Sequence, residues 1–277
     1  MTRLVNRQPE RTGRILLALL PFLLLAIAYL LCSEARLAAN PQDKLLPGIK
    51  ALAEGIHRVA FEPSRRSGEI LLVSDTLASL KLLLTGVGLS ALIGLVVGLG
   101  NGAIPLLRAP LSPLVTALSL IPPMALLPIL FIVFGLGDLA KIMLIIFGIC
   151  PLLIRDLQLK TLSLPEELKV KALTLGANSW QLLLRVLLPQ VLPRLIEAVR
   201  LTLGSAWLFL IAAEAIAATA GLGYRIFLVR RYLDMAVILP YVVWITLLAF
   251  AMDYLLRQLA RRAFPWYYGR GGEGAAT

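Results

Sequence analysis

The stretch LLLTGVGLSALIGLVVGLG, residues 82–100, decides the class of fold that this sequence encodes. It is apolar and free of charge, and a helix needs about 20 such residues to cross the hydrocarbon core of a membrane. Gly86, Gly94 and Gly98 within it predict close packing against a neighbouring helix, because small residues let helix backbones approach each other. The stretch therefore predicts a membrane-spanning helix.

The rest of the sequence carries the same signal. Hydrophobic residues make up 59% of the 277 residues and charged residues only 16%, whereas soluble domains average about 25% charged. Five further apolar stretches predict membrane spans: Ile15–Leu31, Pro113–Phe134, Leu139–Ile154, Leu201–Ala220 and Met235–Met252. We therefore expect an all-α, polytopic membrane protein with about six transmembrane helices.

The first of these stretches resembles a secretory signal peptide, since arginines precede it. The run Ile15–Leu31 is longer than the apolar part of such a peptide, and no clear small-residue cleavage site follows it. We interpret it as a retained membrane helix.

Basic residues near both termini predict the orientation of the chain. They are Arg3, Arg7, Arg11 and Arg14 at one end and Arg257, Arg261, Arg262 and Arg270 at the other. Under the positive-inside rule both termini are cytoplasmic, which agrees with an even number of spans. The segment Tyr224–Asp234 then falls outside although it carries three arginines, so the rule is not obeyed there.

These features divide the chain into segments with different environments. The segments are a cytoplasmic tail (1–14), a first transmembrane helix (15–33), an extracytoplasmic loop (34–75), a core transmembrane domain (76–266) containing a cytoplasmic segment (155–194), and a disordered tail (267–277). In the loop, apolar residues from Leu45 to Ile56 recur at helical spacing and predict a short amphipathic helix. That helix can lie in the membrane interface or pack on the protein's own outer surface, and both alternatives stay open.

The cytoplasmic segment predicts two short helices with a bend between them. Ser163 and Glu166 form a capping-box pattern at the start of the first helix, and Pro165 suits its first turn. Gly176 stands where a left-handed residue ends such a helix. The apolar face of the first helix holds Leu164, Leu168, Ala172 and Leu175.

The second short helix follows directly. Asn178 or Ser179 can cap a helix over Trp180–Leu188. We expect Pro189 and Pro193 to end it and to turn the chain back toward the membrane. The apolar face of the pair either packs on the protein's own helix ends or docks into a groove on another protein, and local pattern leaves both open.

Residues 171–176, KALTLG, followed by VLLP at 186–189, resemble the EAA motif of ABC importer permeases. In that motif Glu-Ala-Ala is followed by a glycine and then by Ile-x-Leu-Pro at fixed spacing. The positions in register are Ala172, Gly176, Val186, Leu188 and Pro189. Val170 stands in place of the glutamate and Lys171 in place of the first alanine, while Glu166 and Glu167 lie nearby out of register.

Further stretches extend the resemblance over roughly residues 40–266. IPPMALLP (121–128), FGLGDLAK (134–141), GANSW (176–180), AEA (213–215) and AGLGY (220–224) are similar to the nitrate/sulfonate/taurine-type branch of these permeases. The resemblance implies the type I ABC importer permease fold in the bacterial inner membrane. It also implies two permease subunits, expected to be identical, on two cytoplasmic ATPase subunits, and an extracytoplasmic binding protein that delivers the solute.

The resemblance also assigns the bent helix pair as the element that couples the permease to the ATPase. The residues expected at that contact are Glu166, Glu167, Leu168, Lys171, Ala172, Leu175, Gly176, Ala177, Val186, Leu188 and Pro189. The solute stays open among sulfonates, taurine, nitrate and heterocyclic vitamin precursors, all of which occur among similar systems.

Two features within the predicted spans are candidates for the translocation path. Glu214 is the only acid in a predicted span; it either lines the path or is solvated near the Gly221–Gly223 turn. Pro122, Pro123 and Pro128 interrupt the third span and either line a cavity or form a packed kink.

The residues available for other chemistry are few. The sequence has no Gly-x-x-x-x-Gly-Lys-Ser/Thr phosphate loop, so we expect ATP hydrolysis on a separate chain. The one histidine, His57, and the cysteines Cys32 and Cys150 predict no metal site, disulfide, cofactor or hydrolytic site. The net charge is +11, and the basic residues lie at the ends of apolar stretches. This placement favours contact with lipid head groups over binding of nucleic acid. The alternatives to a transport subunit are a stand-alone secondary transporter or channel and, less well supported, a membrane enzyme.

Overall fold

A computed structural model describes residues 11–40, 43–64 and 68–268 of the chain. Most of both predicted terminal tails therefore lies outside the described residues. The helices are α1 (Arg11–Ala39), α2 (Ile49–Ala60), α3 (Leu71–Ala103), α4 (Pro105–Leu120), α5 (Pro123–Phe134), α6 (Asp138–Leu162), α7 (Glu166–Thr174), α8 (Ser179–Gln181), α9 (Leu188–Ala217), α10 (Leu222–Arg230), α11 (Met235–Ala263) and α12 (Pro265–Tyr268), with a π-helical turn at Leu182–Leu187. β-structure in the described ranges is limited to one isolated bridge, so the predicted all-α class is confirmed.

The helix bundle has two ends that differ in what they carry. The loop end carries α2 and α10, and the elbow end carries α7 and α8. Helix α9 joins the two ends, because it continues from α8 and the π-helical turn and finishes beside α10.

Five helical runs are long and apolar enough to cross a membrane: α1, α3, α6, the run from α8 through α9, and α11. The predicted third span, Pro113–Phe134, is instead divided between α4 and α5, which meet at an angle of 97°. Helix α3 ends at the elbow end, since Gly102 lies against Thr161 near the end of α6. Because α6 begins at the opposite end, α4 and α5 together carry the chain across and form a broken sixth span.

Two consecutive prolines cause the break between α4 and α5. Ile121 has an extended backbone (φ −73°, ψ 124°), as expected for a residue that precedes proline. Pro122 is the N-cap of α5 and Pro123 is its first residue. Neither proline has a backbone N–H, so the break leaves fewer unpaired donors at membrane depth than two ordinary residues would.

Helices α3 and α6 pack closely along a line of glycines in α3. A Cβ atom added to Gly86, Gly94 or Gly98 would lie 2.8–2.9 Å from a side-chain atom of α6. The α6 residues opposite these glycines are Ile145, Leu153 and Leu157. The close approach predicted from these three glycines is therefore present, and α6 is the partner helix.

Helix α2 packs on the protein itself. A Cβ on Gly55 would lie 2.3 Å from the carbonyl oxygen of Ala236 in α11, so the two backbones are in direct contact. Arg58 of α2 also pairs with Asp234, just before α11. The structure therefore contains packing of α2 on the protein's own surface. Ile49 and Ile56 of the predicted apolar stripe are exposed, so contact with the membrane interface stays a prediction.

Several predicted boundaries differ from the helices observed. Helix α1 runs to Ala39 and α3 begins at Leu71, so the predicted loop 34–75 includes parts of two helices. Helix α6 continues to Leu162, two turns beyond the predicted span, because a polar end of a long helix gives no hydropathy signal.

Candidate functional site

The bend between α7 and α8 is the first candidate site, and residues 166–187 are called the elbow. Pro165 is the N-cap of α7, with no side-chain hydrogen bond to the first turn. The predicted capping box of Ser163 and Glu166 is therefore wrong. Ser163 is instead the C-cap of α6, and its hydroxyl donates to the carbonyl of Lys160. Glu166 and Glu167 lie in the first turn of α7, where the helix dipole interacts favourably with negative charge.

Gly176 ends α7 in the left-handed conformation, as predicted. Its φ is +83°, and nothing lies within 4 Å of the position that a Cβ would occupy. The N–H of Ala177 donates to the carbonyl of Ala172 and that of Gly176 donates to Leu173, which closes the helix end. The backbone angle, rather than lack of space, is what requires glycine at this position.

Asn178 caps α8 through a capping box. The N–H of Gln181 donates to the Asn178 side chain at 2.8 Å, and the N–H of Asn178 donates to the Gln181 side chain at 2.9 Å. Of the two predicted caps, Asn178 is the one used.

The expectation that Pro189 and Pro193 end this helix is wrong. The π-helical turn leads directly into α9, so Ser179–Ala217 is one helical run of 39 residues. In an α-helix the ring of Pro189 would collide with the carbonyl four residues earlier. The wider π-helical turn, in which the N–H of Leu188 reaches the carbonyl of Leu183, moves that carbonyl away.

A small apolar cluster fixes the elbow to the bundle. Leu164 was predicted to lie on the apolar face of α7, and this is wrong. It precedes that helix and is buried. It packs with Leu99 of α3, Leu157 of α6, Leu187 and Val191. The elbow is thus attached to three long helices at its base.

The outer surface of the elbow is apolar and exposed. Leu175 is 88% exposed and Trp180 is 71% exposed. The other large apolar side chains exposed there are Leu168, Val170, Leu173 and Leu184. No residue of α7 is buried, so this face does not pack on the described part of the bundle.

The other predicted contact residues fall into two groups in the elbow region. Glu166, Glu167, Lys171 and Gly176 are exposed. Half-buried positions are Ala172, Ala177, Val186, Leu188 and Pro189. The exposed group and the large apolar residues form the accessible surface, while the half-buried group lies toward the bundle.

A cavity at the break between α4 and α5 is the second candidate site. Its volume is about 140 Å³, and it is lined by Leu118, Ser119, Ile121, Pro123, Phe147, Gly148, Pro151, Leu152, Ser205 and Phe209. Pro123 lines it and Pro122 adjoins it in sequence. The other predicted path residues, Pro128 and Glu214, do not line it.

Glu214 lies at the loop end inside a buried polar network. Its carboxylate accepts hydrogen bonds from the Ser79 hydroxyl at 2.7 Å and the Gly223 N–H at 2.8 Å. The side chain is fully buried. Of the two roles considered for it, solvation near the Gly221–Gly223 turn is therefore wrong, although its position beside that turn is as expected.

Asp75 is the centre of the same network and is absent from the sequence-based candidates. Its carboxylate accepts from the Arg225 guanidinium at 2.7 Å, the Tyr241 hydroxyl at 3.1 Å and the Gly221 N–H at 3.1 Å. Partial burial lowers the pKa of Arg225, but the Asp75 carboxylate outweighs burial and raises the pKa above its ordinary value. No local signal marks Asp75, because its partners lie in helices far along the chain.

Comparison with known proteins assigns the family. The family model for the binding-protein-dependent transport system inner membrane component matches residues 90–265. The taurine transport system permease protein of Escherichia coli (strain K12) is 35% identical over 193 residues, which are 69% of each chain. The nitrate import permease protein of Leptolyngbya laminosa is 26% identical, over 88% of this chain and 85% of that one.

A putative aliphatic sulfonates transport permease protein of Bacillus subtilis (strain 168) is 29% identical over 75% of each chain. A chain in an inward-facing structure of the MetNI methionine ABC transporter superposes with a TM-score of 0.61 and 25% identity, over 69% of this chain and 95% of that one. The resemblance stated from the sequence motifs is thus confirmed. The chain belongs to the family of binding-protein-dependent transport system inner membrane components, and it is a multi-pass permease subunit of an ABC importer.

Proposed function

We propose that the elbow is the coupling element of this permease and that it docks into a cleft on a separate ATPase subunit. The observation that carries the proposal is the exposed apolar surface around Leu175 and Trp180 on a segment that is otherwise rigidly held. Complete burial of one large apolar side chain contributes roughly 1.5–3 kcal/mol. A partner that covers several of them therefore has enough free energy available to bind.

The connection of the elbow to α9 supports a mechanical role. The elbow continues into α9 without a break, and α9 reaches the loop end. A displacement of the elbow is therefore passed along one continuous helix to the opposite end of the bundle. The Asn178–Gln181 capping box and the Leu164 cluster hold the elbow in shape, which transmission requires.

The assembly and the orientation belong to the same proposal. We infer a pair of identical permease chains on two ATPase subunits, with an extracytoplasmic binding protein at the loop end. Six crossings bring both ends of the chain to the side of the elbow, and the basic residues of both tails favour the cytoplasm for that side. The names of the similar permeases support a small solute that carries an oxyanion group: taurine, another sulfonate or nitrate.

The test replaces Gly176 in the complete transporter in proteoliposomes. Gly176→Val forces a β-branched residue into the left-handed conformation. That conformation costs an ordinary residue roughly 1–2 kcal/mol, and it costs valine more. Gly176→Asn is the matched control, since asparagine tolerates this conformation. We expect ATP-driven uptake of the transported anion to fall at least about tenfold in the valine variant, the factor that corresponds to ~1.4 kcal/mol, and to persist in the asparagine variant.

Three results would contradict the proposal. They are normal uptake by a correctly inserted Gly176→Val transporter, equal loss in both variants, and uptake by the purified permease without any ATPase. The last result would favour a stand-alone transporter.

A further inference from the structure

The cavity at the break between α4 and α5 has polar groups at two points of an otherwise apolar lining. They are the hydroxyls of Ser119 at the end of α4 and Ser205 in α9. The Ser119 hydroxyl donates to the carbonyl of Thr116 and accepts a hydrogen bond from the Arg155 guanidinium at 3.1 Å. No acidic side chain of the described residues lines the cavity. The cavity therefore has a positive charge hydrogen-bonded to its lining and no acidic side chain in that lining.

Arg155 is exposed and does not itself line this cavity, but its guanidinium is hydrogen-bonded to Ser119, which does. Pro151 and Leu152 line the cavity and lie four and three residues before it, on the same face of the helix. Its guanidinium has five N–H donors, and Ser119 is the one side-chain partner that the structure gives it within the described ranges.

The nearest acid in sequence does not neutralise Arg155. Asp156 accepts two hydrogen bonds from Arg194, at 2.6 and 2.7 Å. Nearby, Arg200 is likewise paired with Asp253. Among these basic side chains of the bundle, Arg155 is the one whose charge is left available to a solute.

We propose that this cavity is a binding site for the oxyanion group of the transported solute, with Arg155 supplying charge and Ser205 supplying a hydroxyl donor. Ser119, whose own proton goes to the Thr116 carbonyl, holds the Arg155 guanidinium beside the cavity. A guanidinium binds sulfonate-like and nitrate oxygens through paired N–H donors, and hydroxyls add hydrogen bonds without adding charge. The inference rests on the proposed function, because it names the residues of the permease that meet its cargo.

The size of the cavity suits such a solute. Its volume is about 140 Å³, and a cavity of roughly 150 Å³ holds a molecule the size of benzene. A solute of the size of taurine or nitrate is accommodated, whereas a larger cargo requires the break to open.

The experiment measures the charge preference of the cavity directly. Ser205→Cys is introduced into a chain in which Cys32→Ser and Cys150→Ala remove the native thiols. The probes are two methanethiosulfonate reagents of similar size, one ending in a sulfonate and the other in a trimethylammonium group. For each reagent, the labelling rate of the introduced thiol is divided by its rate with a free thiol in solution. We expect this normalised rate to be higher for the anionic reagent than for the cationic one. Millimolar taurine or nitrate should slow the labelling by the anionic reagent.

Variants of Arg155 decide the outcome. Arg155→Gln should reduce the anion preference about tenfold, in the range of electrostatic effects on encounter rates, whereas Arg155→Lys should keep most of it. Arg257→Gln removes the same charge from α11, which does not line the cavity, and should leave the preference unchanged. Labelling after denaturation gives the amount of intact thiol in each variant.

A ratio of labelling rates equal to that of a free thiol, or a preference that persists in Arg155→Gln, would overturn the assignment. The labelling needs neither ATP nor an ATPase. A failure of coupling therefore appears only in the uptake assay, and a failure of the proposed site appears in the labelling.

Discussion

At the scale of single residues, Asp75 is the buried charge that joins three helices at the loop end. It is 1% exposed and receives hydrogen bonds from α10, from α11 and from the Gly221 N–H before α10. Burial of an unpaired carboxylate is costly, so Asp75 depends on Arg225, the cation with which it pairs in the described residues. The loop end is therefore held together by an ion pair rather than by apolar contact alone.

Removal of that cation should destabilise the protein. We expect Arg225→Gln to lower the free energy of unfolding by about 3 kcal/mol, because it leaves Asp75 buried without a counter-charge. The measurement is the thermal midpoint of the detergent-solubilised protein, followed by fluorescence-detected size exclusion. Arg231→Gln, at an exposed position of the same segment, is the matched control and should behave like the parent chain.

The double variant Asp75→Asn/Arg225→Gln gives a second check. It removes both charges, so it should be more stable than Arg225→Gln alone. An Arg225→Gln protein as stable as the parent would show that Asp75 is neutralised in another way.

Residues were predictable from the sequence where their role is local. Gly176 and Asn178 follow from the chemistry of helix ends, which involves only neighbours in the chain. Asp75 was not predictable, because its partner Arg225 is 150 residues away and neither side chain belongs to a local pattern. Leu164 was misplaced for the same reason: its contacts are with Leu99 and Leu157, in other helices.

At the scale of elements, the contact between α3 and α6 is the most extensive helix–helix contact of the described fold. The Cβ of Leu153 lies 2.9 Å from the position of a Cβ on Gly94, so any larger side chain pushes the helices apart. Gly88 is in the same helix, but a Cβ there meets nothing within 4 Å. These two glycines therefore separate the effect of helix packing from the effect of helix propensity.

Valine at the two positions should give different results. We expect Gly94→Val to cost about 1–3 kcal/mol through overpacking, seen as a lower thermal midpoint and a smaller yield of folded protein. Gly88→Val should have little effect in the same measurement. Similar losses of stability in both variants would mean that the low helix propensity of valine causes the loss, and not its contact with α6.

Prolines show why helix ends were harder to predict than helix existence. The pair Pro122 and Pro123 breaks the chain, because Ile121 is forced out of the helical conformation. Pro189 does not break it, because the π-helical turn ahead of it removes the clash. The sequence contains prolines in both places, and only the hydrogen-bond pattern of the preceding turn distinguishes them.

At the scale of the whole molecule, the broken span determines the topology. With α4 and α5 counted as one crossing, the described helices provide six crossings, so we expect the start of α1 and the end of α11 on the side of the elbow. Were the pair a re-entrant loop, α6 would have to begin at the elbow end. Helix α6 is in contact with α3 along their length and ends beside the end of α3, which excludes that arrangement.

Accessibility of single introduced thiols from outside the cell tests this topology together with its orientation. In the Cys32→Ser/Cys150→Ala background, His57→Cys places a thiol on exposed α2, and Leu175→Cys places one on the elbow. We expect a membrane-impermeant maleimide to label the α2 thiol in intact spheroplasts and the elbow thiol only after permeabilisation. If the elbow docks into an ATPase as proposed, that partner covers the exposed apolar side chains of the elbow. Co-expression with the cognate ATPase should therefore slow labelling of the elbow thiol and leave labelling of the α2 thiol unchanged. Labelling of the elbow thiol in intact spheroplasts would contradict both the orientation and the coupling role.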